Sequence, residues 1–180
     1  MGVSSDKLKV GVVLVGHGQL PRDLPSEIGR EYMKLKFKVE RSPEEEASFK
    51  SLEEKVMNWP RNESNDPYYH SLQMIAEELE KKRRYSMVWI AFIDFCKPTV
   101  KEAIEEACSS DVEVIVVTTT MMTRGGEHSE EDIPRILEEF KSRCGKPIIY
   151  AWPFNLSEIA SLLSDVIDRY LLEFSMRMRI

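Results

Sequence analysis

The run "VGVVLVGHG", Val10–Gly18, decides the architecture. From Val10 to Val15 apolar residues follow one another with almost no polar alternation. A strand with one wet face alternates, so a continuous run is expected to be buried on both faces, as in a parallel sheet lying between helices. Three further runs read the same way: Met87–Ile93, Val112–Thr119 and Pro147–Trp152. Segments of helical spacing separate them, as parallel crossovers require. The expected fold is α/β: a doubly wound, four-stranded parallel sheet of flavodoxin-like order.

The helix signals support this. Asp66-Pro67 supplies an N-cap and first position before Leu72, Ile75, Ala76 and Leu79. Pro98 opens a segment with Val100, Ala103, Ile104 and Ala107. Asp132-Ile133-Pro134 leads into Ile136, Leu137 and Phe140. Asn155 and Glu158 form a cap and third-position pair. Ile159, Leu162, Leu163, Val166, Ile167, Tyr170 and Leu171 then make a strong apolar stripe, expected to face the core.

Residues 19–65 exceed what a strand–helix unit needs. Helical spacing recurs after Ser26 (Ile28, Tyr32, Leu35) and after Ser42-Pro43 (Phe49, Leu52, Val56), and "NWPRNESNDP" reads as a loop. The chain, 1–180, is expected to be one domain with this helical segment inserted after strand one, over the mouth of a site or at a subunit interface.

Composition excludes several classes. A net charge of −6 argues against general nucleic-acid binding, and the short basic tail at Arg177 and Arg179 does not reverse it. No run reaches membrane-spanning length. The first ten residues show neither an apolar signal core nor a good acylation motif. Cys96, Cys108 and Cys144 are odd in number and widely spaced, so they are expected to be reduced packing residues in the cytoplasm.

In open parallel sheets ligands bind beyond the carboxyl ends of the strands, where strand order reverses. His17 follows strand one, Asp94 strand two, and His128 strand three, in "TTTMMTRGGEHSEED". In the order 2-1-3-4, His17 and His128 face each other across the crevice. Imidazole binds divalent metals and accepts protons near neutral pH. Gly16 and Gly18 read either as a tight turn or as clearance for a ligand, and the crevice placement favours clearance. His70 lies opposite the apolar stripe of its helix and is expected to be exposed, a minor candidate at the site edge. Cys96 is expected to pack. Glu127, Glu130, Glu131 and Asp132 are expected to favour the following helix N-terminus.

Three stretches, "VVLVGHG", "AFIDFCKPTVKEAIEEA" and "VIVVTTTMMTRGGEHSEEDIPRIL", resemble the small class II sirohydrochlorin chelatases of the CbiX/SirB type. The resemblance covers strand one and the chain from about Tyr68, not the insertion. It implies insertion of Co²⁺, Ni²⁺ or Fe²⁺ into sirohydrochlorin, with His17 and His128 as the metal-handling pair. Asp94 stands where the family usually has glutamate, and Gln19-Leu20-Pro21-Arg22 stands where Ser-Arg commonly follows. The implied site needs no permanently bound cofactor, the metal being substrate. Arg22, Lys97 and Arg124 are candidates for the substrate carboxylates, and Met121, Met122, Phe95, Trp152 and Phe154 for apolar walls. Gly125-Gly126 would let that loop adapt to the ring. The expected partners are a tetrapyrrole and a second copy in a homodimer, with no nucleic acid and no membrane. Two rivals remain: a non-catalytic tetrapyrrole or metal carrier on the same fold, and a phosphate- or nucleotide-binding protein using Gly16-His17-Gly18, which lacks a full phosphate-loop pattern.

Overall fold

A computed structural model describes residues 8–178, so the readings made on residues 1–7 and on Arg179 lie outside the described residues. Strands β1 (Val10–Gly16), β2 (Met87–Phe92), β3 (Val114–Thr119) and β4 (Ile148–Tyr150) form one parallel sheet in the order β2-β1-β3-β4. Val15 pairs with Thr119 and Gly16 with Phe92, so the three longer strands end on one rim.

The helices are α1 (Ser26–Lys36), α2 (Pro43–Met57), α3 (Pro67–Lys81), α4 (Val100–Ser109), α5 (Ile133–Lys141) and α6 (Leu156–Arg177). Helices α4 and α5 cover one face of the sheet, packing Ile104, Ile133 and Leu137 onto Val13, Val15, Ile115 and Val117. Helix α3 covers β1 and β2 on the other face, setting Leu72 and Ala76 against Leu14 and Phe92. Each large aliphatic buried in this way contributes about 1.5–3 kcal/mol. The starts follow the cap chemistry: Ser42 with Glu45 and Thr99 with Glu102 form reciprocal capping boxes, and Asp66 accepts from the Tyr69 N–H.

The inserted segment is a pair of helices with a small core of its own. Tyr32 and Val56 are buried with Phe95, and the Tyr32 and Phe49 rings stack at 5.7 Å. Arg61 fastens this unit to the sheet rim. Its guanidinium pairs with the fully buried Asp66 at 2.6 Å and donates to the carbonyls of Gln19, Val56 and Phe95.

Two expectations are corrected. Cys108 and Cys144 are not reduced packing thiols: they form a disulfide, S–S 2.03 Å. α4 and α5 lie on the same sheet face, which brings the end of one beside the turn after the other, and a separation of 36 residues carries no local motif from which to read the pairing. The stripe on α6 does not face the core either. No residue of α6 is buried, and Leu163, Ile167, Tyr170 and Phe174 are each more than half exposed. On the α3 side of the sheet, β3 and β4 are correspondingly thinly covered, with Ile149 52% exposed.

Candidate metal centre

Parallel pairing continues past the strand ends and sets the spacing of the site. Ile93 N–H donates to Gly16 O at 3.1 Å, Asp94 N–H to His17 O at 2.9 Å, and Thr120 N–H to Val15 O at 3.0 Å. His17 N–H donates to the Tyr68 hydroxyl at 2.8 Å, which ties the turn to the first turn of α3. The reading of Gly16 and Gly18 as ligand clearance is corrected. A Cβ at Gly16 would meet Leu72 Cδ2 at 2.9 Å and the Tyr68 ring at 3.1 Å. At Gly18, where φ is +90°, it would sit 2.0 Å from Asp94 O. These glycines let α3 and the β2 loop close onto β1. The space a phosphate would need in a glycine loop is therefore filled by protein.

His128 arrives from the far side of the crevice on a single π-helical turn, His128–Asp132, that precedes α5. Ser129 is buried in this turn, and its carbonyl accepts from the Tyr150 hydroxyl at 2.9 Å, so β4 anchors the turn. The His17 and His128 rings stand edge to face, 4.9 Å between centroids. One ligand atom each from His17, Asp94 and His128 lie within 4.8 Å of one another, and all three residues are half-buried. Among the described residues this is the His/Cys/Asp/Glu group with the spacing of a metal site.

Hydrogen bonding sets the tautomers. His17 Nδ1 lies 2.8 Å from Gly18 O, which can only accept. His128 Nδ1 lies 2.7 Å from Asp132 Oδ2, and Arg135 holds the other oxygen of that carboxylate. Both Nδ1 atoms therefore carry the proton, and both Nε2 lone pairs are free for a cation. Asp132 stands at the start of α5, as expected, and its carboxylate also orients His128. Only its position four residues after His128 hinted at this.

The insertion contributes a residue that the sequence did not point to. Lys36, the last residue of α1, places Nζ 2.5 Å from Asp94 Oδ1. Each side chain is about one-fifth exposed. The ammonium also lies 5.0 Å from the centre of the Phe95 ring. Phe95 itself adopts φ +67°, a left-handed conformation costly for a bulky side chain, and packs against both Tyr32 and His17. A cleft of about 730 Å³ opens beside this pair, lined by Tyr32, Glu53, Glu54, Asp94, Phe95 and Lys97 among others.

The remaining candidates scatter. Lys97 lines that cleft and pairs with Glu102 at 3.1 Å. Arg22 is exposed and lines a separate depression with Asp23, Asn62 and Asn65. Met121 packs against the sheet core, whereas Met122 and the Gly125-Gly126 loop are exposed. Arg124 pairs with Glu130 at 3.3 Å. Trp152 and Phe154 contact each other edge to face beyond β4. His70 is half-buried rather than exposed, and lies outside the metal-spaced group. Cys96 packs as expected; burial pushes its thiol up to about 12, so it stays protonated at neutral pH.

Comparison with known proteins adds the family. Residues 64–170, more than half of the chain, match the CbiX family model. The chain is 36% identical over 72 residues to the sirohydrochlorin cobaltochelatase of Methanopyrus kandleri, covering 39% of this chain and half of that relative. It is 32% identical over 91 residues to the sirohydrochlorin cobaltochelatase of Sulfurisphaera tokodaii, covering 50% of this chain and 72% of that relative. A CbiX protein of Marinobacter aquaeolei VT8 superposes with a TM-score of 0.55 at 15% identity, covering 91% of this chain and 98% of that one, a likeness of fold. The matched stretch takes in β2, the β3 rim with its His128 turn, and all of α3 to α5, and on this evidence the chain belongs to the CbiX family.

Proposed function

We propose that the protein is a metal chelatase acting on sirohydrochlorin, with cobalt as the first metal to test and Ni²⁺ and Fe²⁺ as alternatives. The observation that carries this reading is the pair of free Nε2 atoms, each fixed by an acceptor on Nδ1, converging with Asp94 on an open rim. The names of the curated relatives supply the substrate and the metal.

The chemistry fits the residues. Metal insertion exchanges one divalent cation for two pyrrole protons. Three protein ligands on one side leave coordination positions open for water and then for ring nitrogens. As the cation leaves, each Nε2 regains a lone pair, so two histidines can take up two protons. Asp132 would steady the imidazolium formed at His128. Lys97, on the cleft beside Asp94, is the best-placed of the candidate cations for a substrate carboxylate.

Visible titration with sirohydrochlorin and Co²⁺ tests the reading. A spectral change that the protein accelerates supports a chelatase. Ligand binding without acceleration overturns catalysis and leaves the carrier on the same fold.

The proposal extends to a homodimer. The exposed stripe of α6 and the thinly covered strip at Val116, Thr118 and Ile149 are two apolar surfaces of one chain. A parallel sheet is normally covered on both faces, and α6 of a second copy is the occupant we assign to that strip. Leu163→Asp with Ile167→Asp is then expected to convert a dimer to a monomer in light scattering; a wild-type monomer would overturn it. A cytoplasmic setting is also proposed; the Cys108–Cys144 bridge fits a cytosol where disulfides persist, as in hyperthermophiles.

A further inference from the structure

Lys36 sits where a metal site should repel it. A dication held by His17, His128 and Asp94 needs the Asp94 carboxylate as a donor. That carboxylate already accepts from an ammonium at 2.5 Å. Nor is the contact a chance reach of a loose side chain. Tyr32 and Leu35, one turn back and one residue back on α1, are buried. Arg41 donates to Leu35 O at 2.6 Å and closes the end of the helix. The ammonium lies over the Phe95 and Tyr32 rings, with Nζ 5.0 and 6.0 Å from their centres. The inserted segment thus delivers a fixed positive charge to the third member of the metal group.

Resting on the chelatase reading, we infer that Lys36 is a resident competitor for Asp94, displaced when the metal binds and returning when the metal passes to the ring. The exchange needs room and a second counter-charge: the cleft beside Asp94 is lined by Glu53 and Glu54, and its three lysines, Lys50, Lys97 and Lys101, already pair with Glu46, Glu102 and Glu139. Both states then keep charge paired. Without metal, the ammonium neutralises Asp94. With metal, Asp94 turns to the cation and the ammonium turns toward Glu53. A chelatase must bind its cation and also give it up. A ligand that recovers a partner on release makes departure easier, at the expense of affinity. Lys36 is therefore a positioning residue that tunes retention, and the insertion serves to set how tightly the cation is held.

A purely structural ion pair tying the insertion to the rim predicts something different. It predicts that removing Lys36 loosens α1 and leaves Co²⁺ affinity unchanged or weakened. Calorimetry with Co²⁺ alone, on the full chain, separates the two. Lys36→Met keeps the stem and removes the charge; it is expected to bind Co²⁺ about tenfold more tightly than wild type, as loss of a charge-assisted competitor implies. Single-turnover transfer of Co²⁺ to sirohydrochlorin is expected to slow in the same variant. Lys36→Arg keeps the charge and can grip the carboxylate with two donors, so it is expected to bind no more tightly than wild type. Unchanged or weaker binding by Lys36→Met, while His128→Ala removes binding, would overturn the role of Lys36 and leave the metal site standing. No Co²⁺ binding by wild type would overturn both.

Discussion

His17 and His128 are each held from behind by an acceptor on Nδ1, and each leaves Nε2 free toward the crevice. Asp94 is the opposite case: its carboxylate faces the same space but is already engaged by Lys36. The first arrangement belongs to the rim of the parallel sheet and the second to the inserted segment. The difference teaches that one metal group can be assembled from parts with opposed tasks. The rim prepares ligands in advance, and the insertion makes one of them conditional.

The contrast breaks most sharply at His128. His128→Ala removes a rim ligand and is expected to lower insertion more than about a hundredfold, beyond what loss of a ligand's hydrogen-bond partner usually costs. Circular dichroism and the melting curve should be unchanged; a collapse of the fold would make His128 structural.

Gly18→Ala attacks the joint between His17 and Asp94. With φ at +90° and a Cβ placed 2.0 Å from Asp94 O, it is expected to cost about 4 kcal/mol in denaturant unfolding. A fully tolerated alanine would show that the rim does not set the His17–Asp94 spacing.

Cys108→Ser with Cys144→Ser is the control far from this contrast. Opening a bridge between residues 36 apart is expected to lower stability by about 3 kcal/mol while Co²⁺ affinity stays as it was. A change in affinity would tie α4 and α5 to the site more closely than the structure suggests. The smallest effect belongs to Asp132→Asn. The amide can still accept from Nδ1 but no longer raises the basicity of Nε2 as a carboxylate does, so Co²⁺ affinity is expected to fall about tenfold. No change would mean that the Gly18 carbonyl and the Asp132 carboxylate are equivalent supports.

Much of this is legible in the sequence. The four apolar runs gave the sheet, because strands buried on both faces have no polar alternation to hide them. The rule that ligands meet strand ends brought together His17, Asp94 and His128, three residues 111 positions apart at the extremes, and the structure sets the two rings 4.9 Å apart. What escaped was set by tertiary placement. Lys36 is an ordinary basic residue at a helix end until the helix is docked on Phe95. The disulfide depends on two helices sharing a face. The α6 stripe was read correctly as amphipathic, but amphipathicity does not say which surface receives it. The glycines around His17 do not reveal their role in the sequence, because a tight backbone approach and an open ligand space leave the same mark there.

Arg61 carries a consequence for anyone who would trim this protein. Its single side chain is shared among the end of α2, the loop after β1, the loop after β2 and the Asp66 cap of α3. The extra helices are thus not a detachable cassette. Excising the whole inserted segment, Arg61 included, would strand the buried Asp66 carboxylate without its guanidinium, at the very residue that starts the crossover to β2. A shortened chain would need that position redesigned as well, or the minimal domain would come apart at its first turn.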